Sequence, residues 1–266
     1  MRRPRSGLVA LWDGICAAVI WAIIALLTVV FALAIILAAV LLAPIDRRRA
    51  VAHWLATAWG CAVFLCIPTW RIRVEGRSLI APGRPWILVS NHQSMLDIMA
   101  LFCVRKQFKW VAKASLFTVP FLGWAMAAAR YIKLVRGQRE SIRVTYGQAK
   151  RWLEQRMPVF FFPEGTRSVT GQLLPFKNGA FKLSLATGVP VVPIAIDGTR
   201  HLLTRGSWVI RHRADVRIRI LPPVNPRKYP DDPDRFRDDV RAMIDRARHE
   251  LAEASHRATA SGRGAV

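Results

Sequence analysis

The sequence predicts an α/β fold: a mixed, largely parallel sheet flanked by helices and preceded by an N-terminal hydrophobic helical segment. Short apolar runs typical of buried strands recur along the chain, as in "PWILVS", "VFFF" and "VPVVPIAI". Stretches with helical periodicity lie between these runs, as expected where helices pack on a sheet. Before them comes a long segment without charged residues. Together these observations separate a hydrophobic N-terminal part from an α/β domain.

The hydrophobic segment runs from Gly14 to Ala43 without a charged residue. As one helix it would extend roughly 45 Å, longer than the ~30 Å hydrocarbon core of a bilayer and too long for a signal peptide. A second apolar stretch, "VAHWLATAWGCAVFLCIPTW", follows it. We therefore predict a membrane anchor over residues 1–69. It would be either one long tilted span with an interfacial helix or a two-helix hairpin in one leaflet. Arginines flank the segment on both sides, so the positive-inside rule does not orient it.

Residues 70–255 are predicted to form the α/β domain, and residues 256–266 a flexible tail. Helical apolar stripes occur over residues 139–156 and again after Asp232 and Pro233, a plausible N-cap and first helical residue. The strand candidates, in chain order, are "WRIRVEG", "PWILVS", "FKWVAK", "YIKLV", "VFFF", "VPVVPIAI" and "VRIRIL". This alternation of strands and helices is typical of a single domain of roughly two hundred residues.

The composition predicts an anionic partner. The chain has 40 Lys and Arg against 17 Asp and Glu, a formal net charge of +23. Such a surface attracts nucleic acid, anionic lipid, phosphorylated metabolites or an acidic protein. The tryptophans cluster largely in the N-terminal apolar region and no nucleic-acid-binding module is recognisable, so nucleic acid is not expected. The four cysteines lack CxxC spacing and the six histidines are scattered, so no metal site is predicted.

The stretch "VSNHQSMLD" places His92 and Asp97 after a predicted buried strand. Five positions turn through about 140° on a helix, so the two side chains meet only if His92 lies in the loop and Asp97 in the first helical turn. Ser94 is a natural N-cap for that helix. One interpretation is a capping box with Asp97 serving the helix dipole. The other is a catalytic pair in which Asp97 orients His92 as a general base.

A second polar loop, "FFFPEGTRS", follows another buried strand. It places Glu164, Gly165, Thr166 and Arg167 at the carboxyl end of that strand, where open α/β sheets bind ligands. Arg167 offers a planar fork for a phosphate, and Gly165 allows close approach of the backbone. A polar turn with a local Glu164–Arg167 pair is the alternative. Two such loops downstream of a hydrophobic segment favour a functional site.

The two loops resemble the first and third motifs of the glycerolipid acyltransferases, above all the bacterial 1-acyl-sn-glycerol-3-phosphate (lysophosphatidic acid) acyltransferases. "VPVVPI" is similar to the fourth motif of that family and puts Pro193 in the matching place. The second motif is weaker, because "RYIKLVRG" keeps Arg136 but has Val135 where an aspartate is expected. The resemblance covers about residues 70–225 and implies a glycerol-3-phosphate acyltransferase-like fold.

The resemblance implies transfer of a fatty acyl group to the sn-2 hydroxyl of 1-acyl-sn-glycerol 3-phosphate, giving phosphatidic acid for phospholipid biosynthesis. His92 would act as general base and Asp97 would orient it. Acyl-CoA or acyl carrier protein would serve as co-substrate, with no other cofactor and no metal. The residues expected to bind the acceptor are Glu164, Gly165, Thr166, Arg167 and Arg136.

The partners implied are a lysophospholipid acceptor, an acyl-thioester donor, an anionic membrane and, as one option, acyl carrier protein. The expected location is the bacterial inner membrane, with the catalytic domain on its cytoplasmic side. Because Val135 replaces an aspartate, a different acceptor stays open: lyso-ornithine lipid, another lysophospholipid or glycerol 3-phosphate. A membrane-tethered basic nucleic-acid-binding protein is the remaining alternative.

Overall fold

The structure is a computed structural model that describes residues 7–168, 170–203 and 206–261. Its helices are α1 (Gly7–Leu41), α2 (Ala50–Leu65), α3 (Asp97–Phe102), α4 (Leu122–Ala128), α5 (Arg139–Glu154), α6 (Gly179–Thr187), α7 (Thr199–Leu202) and α8 (Pro233–Ser261). Its strands are β1 (Trp70–Glu75), β2 (Ile87–Ser90), β3 (Lys109–Lys113), β4 (Ile132–Leu134), β5 (Val159–Phe161), β6 (Val191–Asp197) and β7 (Ala214–Ile220). The tail predicted from residue 256 lies partly outside the described residues, and α8 extends into it as far as Ser261.

The strands form one seven-stranded sheet in the order β1-β7-β6-β2-β5-β3-β4. Every neighbouring pair is parallel except β6 with β7, which is antiparallel. The mixed, largely parallel sheet flanked by helices is therefore confirmed. Because β2, β3, β5 and β6 run the same way, their carboxyl ends lie at one edge.

The sheet is buried on both faces, since residues alternate between two hydrophobic clusters. In β2 and β5, Leu88 and Phe160 point to one cluster, while Ile87 and Val159 point to the other. The first cluster lies beneath α1, α2, α3 and α4. The second lies beneath α5, α6 and α8. This double burial explains why the central strands are continuous apolar runs rather than alternating ones.

Helix α1 is the predicted N-terminal apolar helix. It has 35 residues, and among the described residues it is the one helix long and apolar enough to cross a membrane. One side of α1 packs on α2 and α4, and its other side exposes large apolar residues such as Leu26, Leu33 and Leu37.

Helix α2 packs closely on α3. A Cβ atom at Gly60 would lie 2.6 Å from the Phe102 Cβ and 2.7 Å from the Met99 carbonyl oxygen. Since neither neighbour can move away without shifting α3, only glycine allows this approach. Helix α3, which follows the His92 loop, is thus fixed by its close packing against α2.

Candidate active site

The two polar loops predicted from the sequence lie side by side. The His92 loop follows β2 and the Glu164 loop follows β5, and these strands are parallel neighbours. The Ser168 backbone N–H donates to the His92 carbonyl oxygen at 3.1 Å, so the loops are hydrogen-bonded to each other. This is the edge of the sheet where the sequence placed a functional site.

His92 and Asp97 meet across the loop-to-helix junction. His92 Nδ1 lies 2.8 Å from Asp97 Oδ2, and the side chains are 12% and 0% exposed. A carboxylate accepts only, so Nδ1 carries the proton and donates it. The Gln93 and Ser94 backbone N–H groups also donate to Oδ2, at 2.6 and 2.8 Å. The carboxylate therefore satisfies the loop backbone and orients the imidazole at the same time.

The start of α3 differs in detail from the capping box expected from the sequence. The helix begins at Asp97, with Leu96 in the N-cap position, rather than capping on Ser94. The Ser94 hydroxyl donates to the Leu203 carbonyl oxygen at 3.1 Å. The same hydroxyl oxygen accepts the Leu96 backbone N–H at 3.4 Å, so Ser94 contacts both a distant carbonyl group and the start of the helix.

The His92 ring stacks on Phe162, with ring centroids 4.0 Å apart and an interplanar angle of 17°. His92 also lines a cavity. Because Nδ1 is held by Asp97, Nε2 is the ring nitrogen left to meet a molecule in that cavity. Stacking and the hydrogen bond together restrict the imidazole to one orientation.

Glu164 fastens the two loops together. Its Oε1 accepts the His92 backbone N–H at 2.6 Å, and its Oε2 accepts the Leu174 N–H at 2.9 Å. The residue is 5% exposed, and burial raises the pKa of its carboxyl to about 7. Its contacts are thus with backbone groups, and nothing in the sequence pattern signals them, because Leu174 lies ten positions away.

The other predicted binding residues lie around the same site. Gly165 and Arg136 line the cavity together with His92. Gly165 has a φ of +68°, and a Cβ there would lie 3.1 Å from Lys177 Cε. Thr166 is exposed and Arg167 half-buried in the same loop, outside the cavity lining. The loop conformation therefore depends on glycine, and it leaves Thr166 and Arg167 nearer to solvent than the buried Glu164.

The cavity has a volume of about 300 Å³ and is mostly apolar. It lies between α1 and the sheet, and it extends from His92 toward the interior of the helical layer. Representative apolar lining residues are Ile24, Phe31, Met99, Phe102, Trp110 and Met126. Lys113 also lines it. From the sequence, Lys113 is one of several basic residues near the motifs, and its position at the carboxyl end of β3 is the signal that separates it from the others.

The comparisons with known proteins agree on one kind of relative. A family model described as acyltransferase matches residues 71–197. Over 210 residues the chain is 36% identical to a chloroplast 1-acyl-sn-glycerol-3-phosphate acyltransferase of Brassica napus, covering 78% of this chain and 57% of the relative. Over 201 residues it is 32% identical to the human 1-acyl-sn-glycerol-3-phosphate acyltransferase alpha, covering 73% of this chain and 67% of the relative.

The fold also matches a solved structure. The crystal structure of the 1-acyl-sn-glycerophosphate acyltransferase PlsC from Thermotoga maritima superposes with a TM-score of 0.77 and 26% sequence identity. The match covers 91% of this chain and 97% of that one. By contrast, the chain spans only 50–57% of the length of the plant and algal relatives it matches.

Proposed function

The chain belongs to the family of 1-acyl-sn-glycerol-3-phosphate acyltransferases, and on that premise we propose that it acylates the sn-2 hydroxyl of 1-acyl-sn-glycerol 3-phosphate. The donor is an acyl thioester and the product is phosphatidic acid. The observation that carries the proposal is the oriented His92–Asp97 pair at the wall of an apolar cavity. A base and a place for a fatty chain are what this transfer needs.

In the proposed mechanism His92 is the general base. Its Nε2 takes the proton of the sn-2 hydroxyl as that oxygen attacks the thioester carbonyl, forming a tetrahedral intermediate. Asp97 holds the tautomer through Nδ1 and stabilises the imidazolium. When the intermediate collapses, the carbon–sulfur bond breaks, and the thiolate takes the proton back from His92. Thiolate is a good leaving group, so the protein forms no covalent intermediate.

The substrates are assigned by the chemistry of the surroundings. Arg167 and Arg136 bind the acceptor phosphate, with Thr166 and the Gly165 backbone beside them. Glu164 belongs to the acceptor site as well. Its two hydrogen bonds to backbone N–H groups indicate that it holds the loop in shape rather than contacting the phosphate. The apolar cavity receives a fatty acyl chain, whose methylenes gain by leaving water. Acyl-CoA or acyl carrier protein delivers that chain.

The membrane part of the proposal rests on α1 and the net charge. The exposed apolar side of α1 enters the bilayer, which places the site next to its lipid substrates. A net charge of +23 suits an anionic leaflet and an anionic donor. We place the protein at a bacterial inner membrane with the domain on the cytoplasmic side.

The test is an acyl-transfer assay on the detergent-solubilised protein with oleoyl-CoA and 1-oleoyl-glycerol 3-phosphate, measuring phosphatidic acid. Since a positioned base typically contributes about 10²–10⁴-fold, His92→Ala should lower kcat by at least about a hundredfold. His249→Ala is the matched control, because that histidine is exposed on α8. Full activity in His92→Ala would disprove the general-base mechanism. An unchanged KM for the acceptor in Arg167→Ala would disprove the assignment of Arg167 to the acceptor phosphate.

A second candidate differs in the acceptor. Val135 occupies the place where the family usually has an aspartate, next to Arg136 in the cavity wall. A changed contact there is the reason to test a lyso-ornithine lipid, another lysophospholipid or glycerol 3-phosphate as the acceptor. The same assay with these acceptors decides, since the preferred one gives the highest kcat/KM.

A further inference from the structure

The His92–Asp97 pair has a further hydrogen-bond partner that lies outside the recognised motifs. The hydroxyl of Thr199 donates a hydrogen bond to Oδ1 of Asp97, across 102 positions of sequence. Both residues are 0% exposed. Resting on the proposed function above, we propose that Thr199 is a positioning residue that fixes the Asp97 carboxylate so that Oδ2 meets His92.

The two carboxylate oxygens have different tasks. Oδ2 receives three donors, which are His92 Nδ1 and the backbone N–H groups of Gln93 and Ser94. All three come from the same short loop, so they leave the other end of the carboxylate to be fixed from elsewhere. The Thr199 hydroxyl is the described donor to Oδ1. Without it, a buried charged oxygen loses its partner and the carboxylate can turn about its Cβ–Cγ bond.

Thr199 is itself rigidly placed by the strand that precedes it. The Asn91 side chain donates to the Ile196 carbonyl oxygen and accepts the Ile196 N–H, both at 2.9 Å. The Gln93 side chain donates to the same carbonyl at 3.0 Å. Three hydrogen bonds thus fasten the end of β6 to the His92 loop. From that fixed end Thr199 reaches back to the carboxylate.

The turn between β6 and α7 also depends on a glycine. Gly198 has a φ of +93°, and a Cβ there would lie 2.2 Å from the Asp215 carbonyl oxygen. Only glycine takes this conformation so close to β7. The turn at Gly198 therefore requires glycine, and it places the next residue, Thr199, beside Asp97.

Thr199 acts through Asp97 and is absent from the lining of the cavity. Its loss should therefore lower turnover and leave substrate binding unchanged. Misplacement of a catalytic group by about 1 Å can cost on the order of a hundredfold in rate. A residue needed only for packing would not separate kcat from KM in this way, and a serine in its place would not restore activity.

The experiment compares Thr199→Val, which keeps the shape, with Thr199→Ser, which keeps the hydroxyl. Using the full detergent-solubilised chain and oleoyl-CoA, we expect Thr199→Val to lower kcat by about ten- to a hundredfold, with both KM values within about twofold of wild type. Thr199→Ser should retain kcat within about threefold. Circular dichroism and the thermal midpoint establish folding; if Thr199→Val is not folded, Thr199→Ala takes its place.

A double-mutant cycle with Asp97→Asn completes the test. In that background Thr199→Val should have less than a twofold further effect, because the charge that it positions is already gone. The proposal is overturned if folded Thr199→Val keeps wild-type kcat, if Thr199→Ser is equally impaired, or if the two losses multiply. Absence of acyl transfer in the wild type would instead overturn the proposed function.

Discussion

At the scale of single residues, Glu164 shows how a motif side chain can act through the backbone. Both of its oxygens accept backbone N–H groups, one from the His92 loop and one from Leu174. Burial makes the charged form of this carboxyl less stable and raises its pKa to about 7. With these two hydrogen bonds, Glu164 is suited to holding the His92 loop and the segment around Leu174 against its own loop.

The substitution Glu164→Gln tests this role. The amide has one acceptor oxygen, and its NH₂ group would face the other backbone N–H, so one loop loses its partner. Because a small displacement of the base is costly, we expect kcat/KM to fall by about tenfold or more in the acyl-transfer assay. Glu154→Gln, at an exposed position of α5, is the control and should be unaffected.

The pH dependence of stability gives a second test of Glu164→Gln, because the glutamine side chain does not titrate. Since the folded-state pKa is about 7 against an ordinary value of 4.5, the folded protein binds this proton more readily than the unfolded chain. Wild-type stability from this group is therefore lost as pH rises from 4.5 to 7, by at most about 1.4 kcal/mol per pH unit. Chemical denaturation should show that the free energy of unfolding of the wild type falls relative to that of the variant between pH 5 and pH 7.5. An equal change in both proteins would contradict this.

At the scale of elements, the central strands and the main helices could be predicted because their signals are local. The runs at β2, β5 and β6 are apolar throughout, and α5 and α8 begin at the predicted residues 139 and 233. The environment of α2 could not be predicted, since an apolar stripe looks the same whether it faces lipid or protein. Thr199 and Leu174 were missed because their contacts with the site join distant parts of the chain.

The burial of α2 on the domain centres on His53, which is 0% exposed. Its Nε2 donates to the Lys106 carbonyl oxygen and its Nδ1 accepts the Tyr131 hydroxyl, both at 2.9 Å. Burial, and secondarily the charge of Lys109, lowers the pKa of this imidazole to about 3. A neutral histidine thus ties α2 to the segments on either side of β3.

This arrangement predicts a loss of stability in mild acid. With a folded-state pKa of about 3 against 6.5 in the unfolded chain, only the unfolded state binds the proton in between. The free energy of unfolding should therefore fall as pH decreases from 6.5 toward 3, with a contribution of up to about 1.4 kcal/mol per pH unit. His53→Gln keeps one donor and one acceptor but does not titrate, so it should flatten this slope in denaturation measurements. His249→Ala should keep the wild-type slope, and equal slopes for wild type and His53→Gln would disprove the assignment.

At the scale of the whole molecule, α1 has two faces with separate tasks. Its inner face supplies Ile24, Ala32 and Ile35 to the wall of the cavity that begins at His92. Its outer face exposes Leu26, Leu33 and Leu37. In the proposed function the same helix therefore contacts the bilayer and encloses the fatty chain. A chain leaving the bilayer can then reach the thioester position without crossing water.

The two faces can be separated by substitution. The triple variant Leu26→Lys, Leu33→Lys and Leu37→Lys opposes insertion by about 2.5–3.5 kcal/mol for each lysine near the bilayer centre. Less of this variant should therefore stay in membranes that have been washed with carbonate. In detergent its kcat should stay within about threefold of wild type, since the cavity wall is untouched. Ala32→Phe is the matched inner-face variant: it fills the cavity, so it should stay in the membrane fraction but lose activity, more with oleoyl-CoA than with a short acyl donor. Membrane retention of the triple-lysine variant would show that the outer face of α1 does not hold the protein in the bilayer, and full oleoyl transfer by Ala32→Phe would show that the fatty chain lies elsewhere.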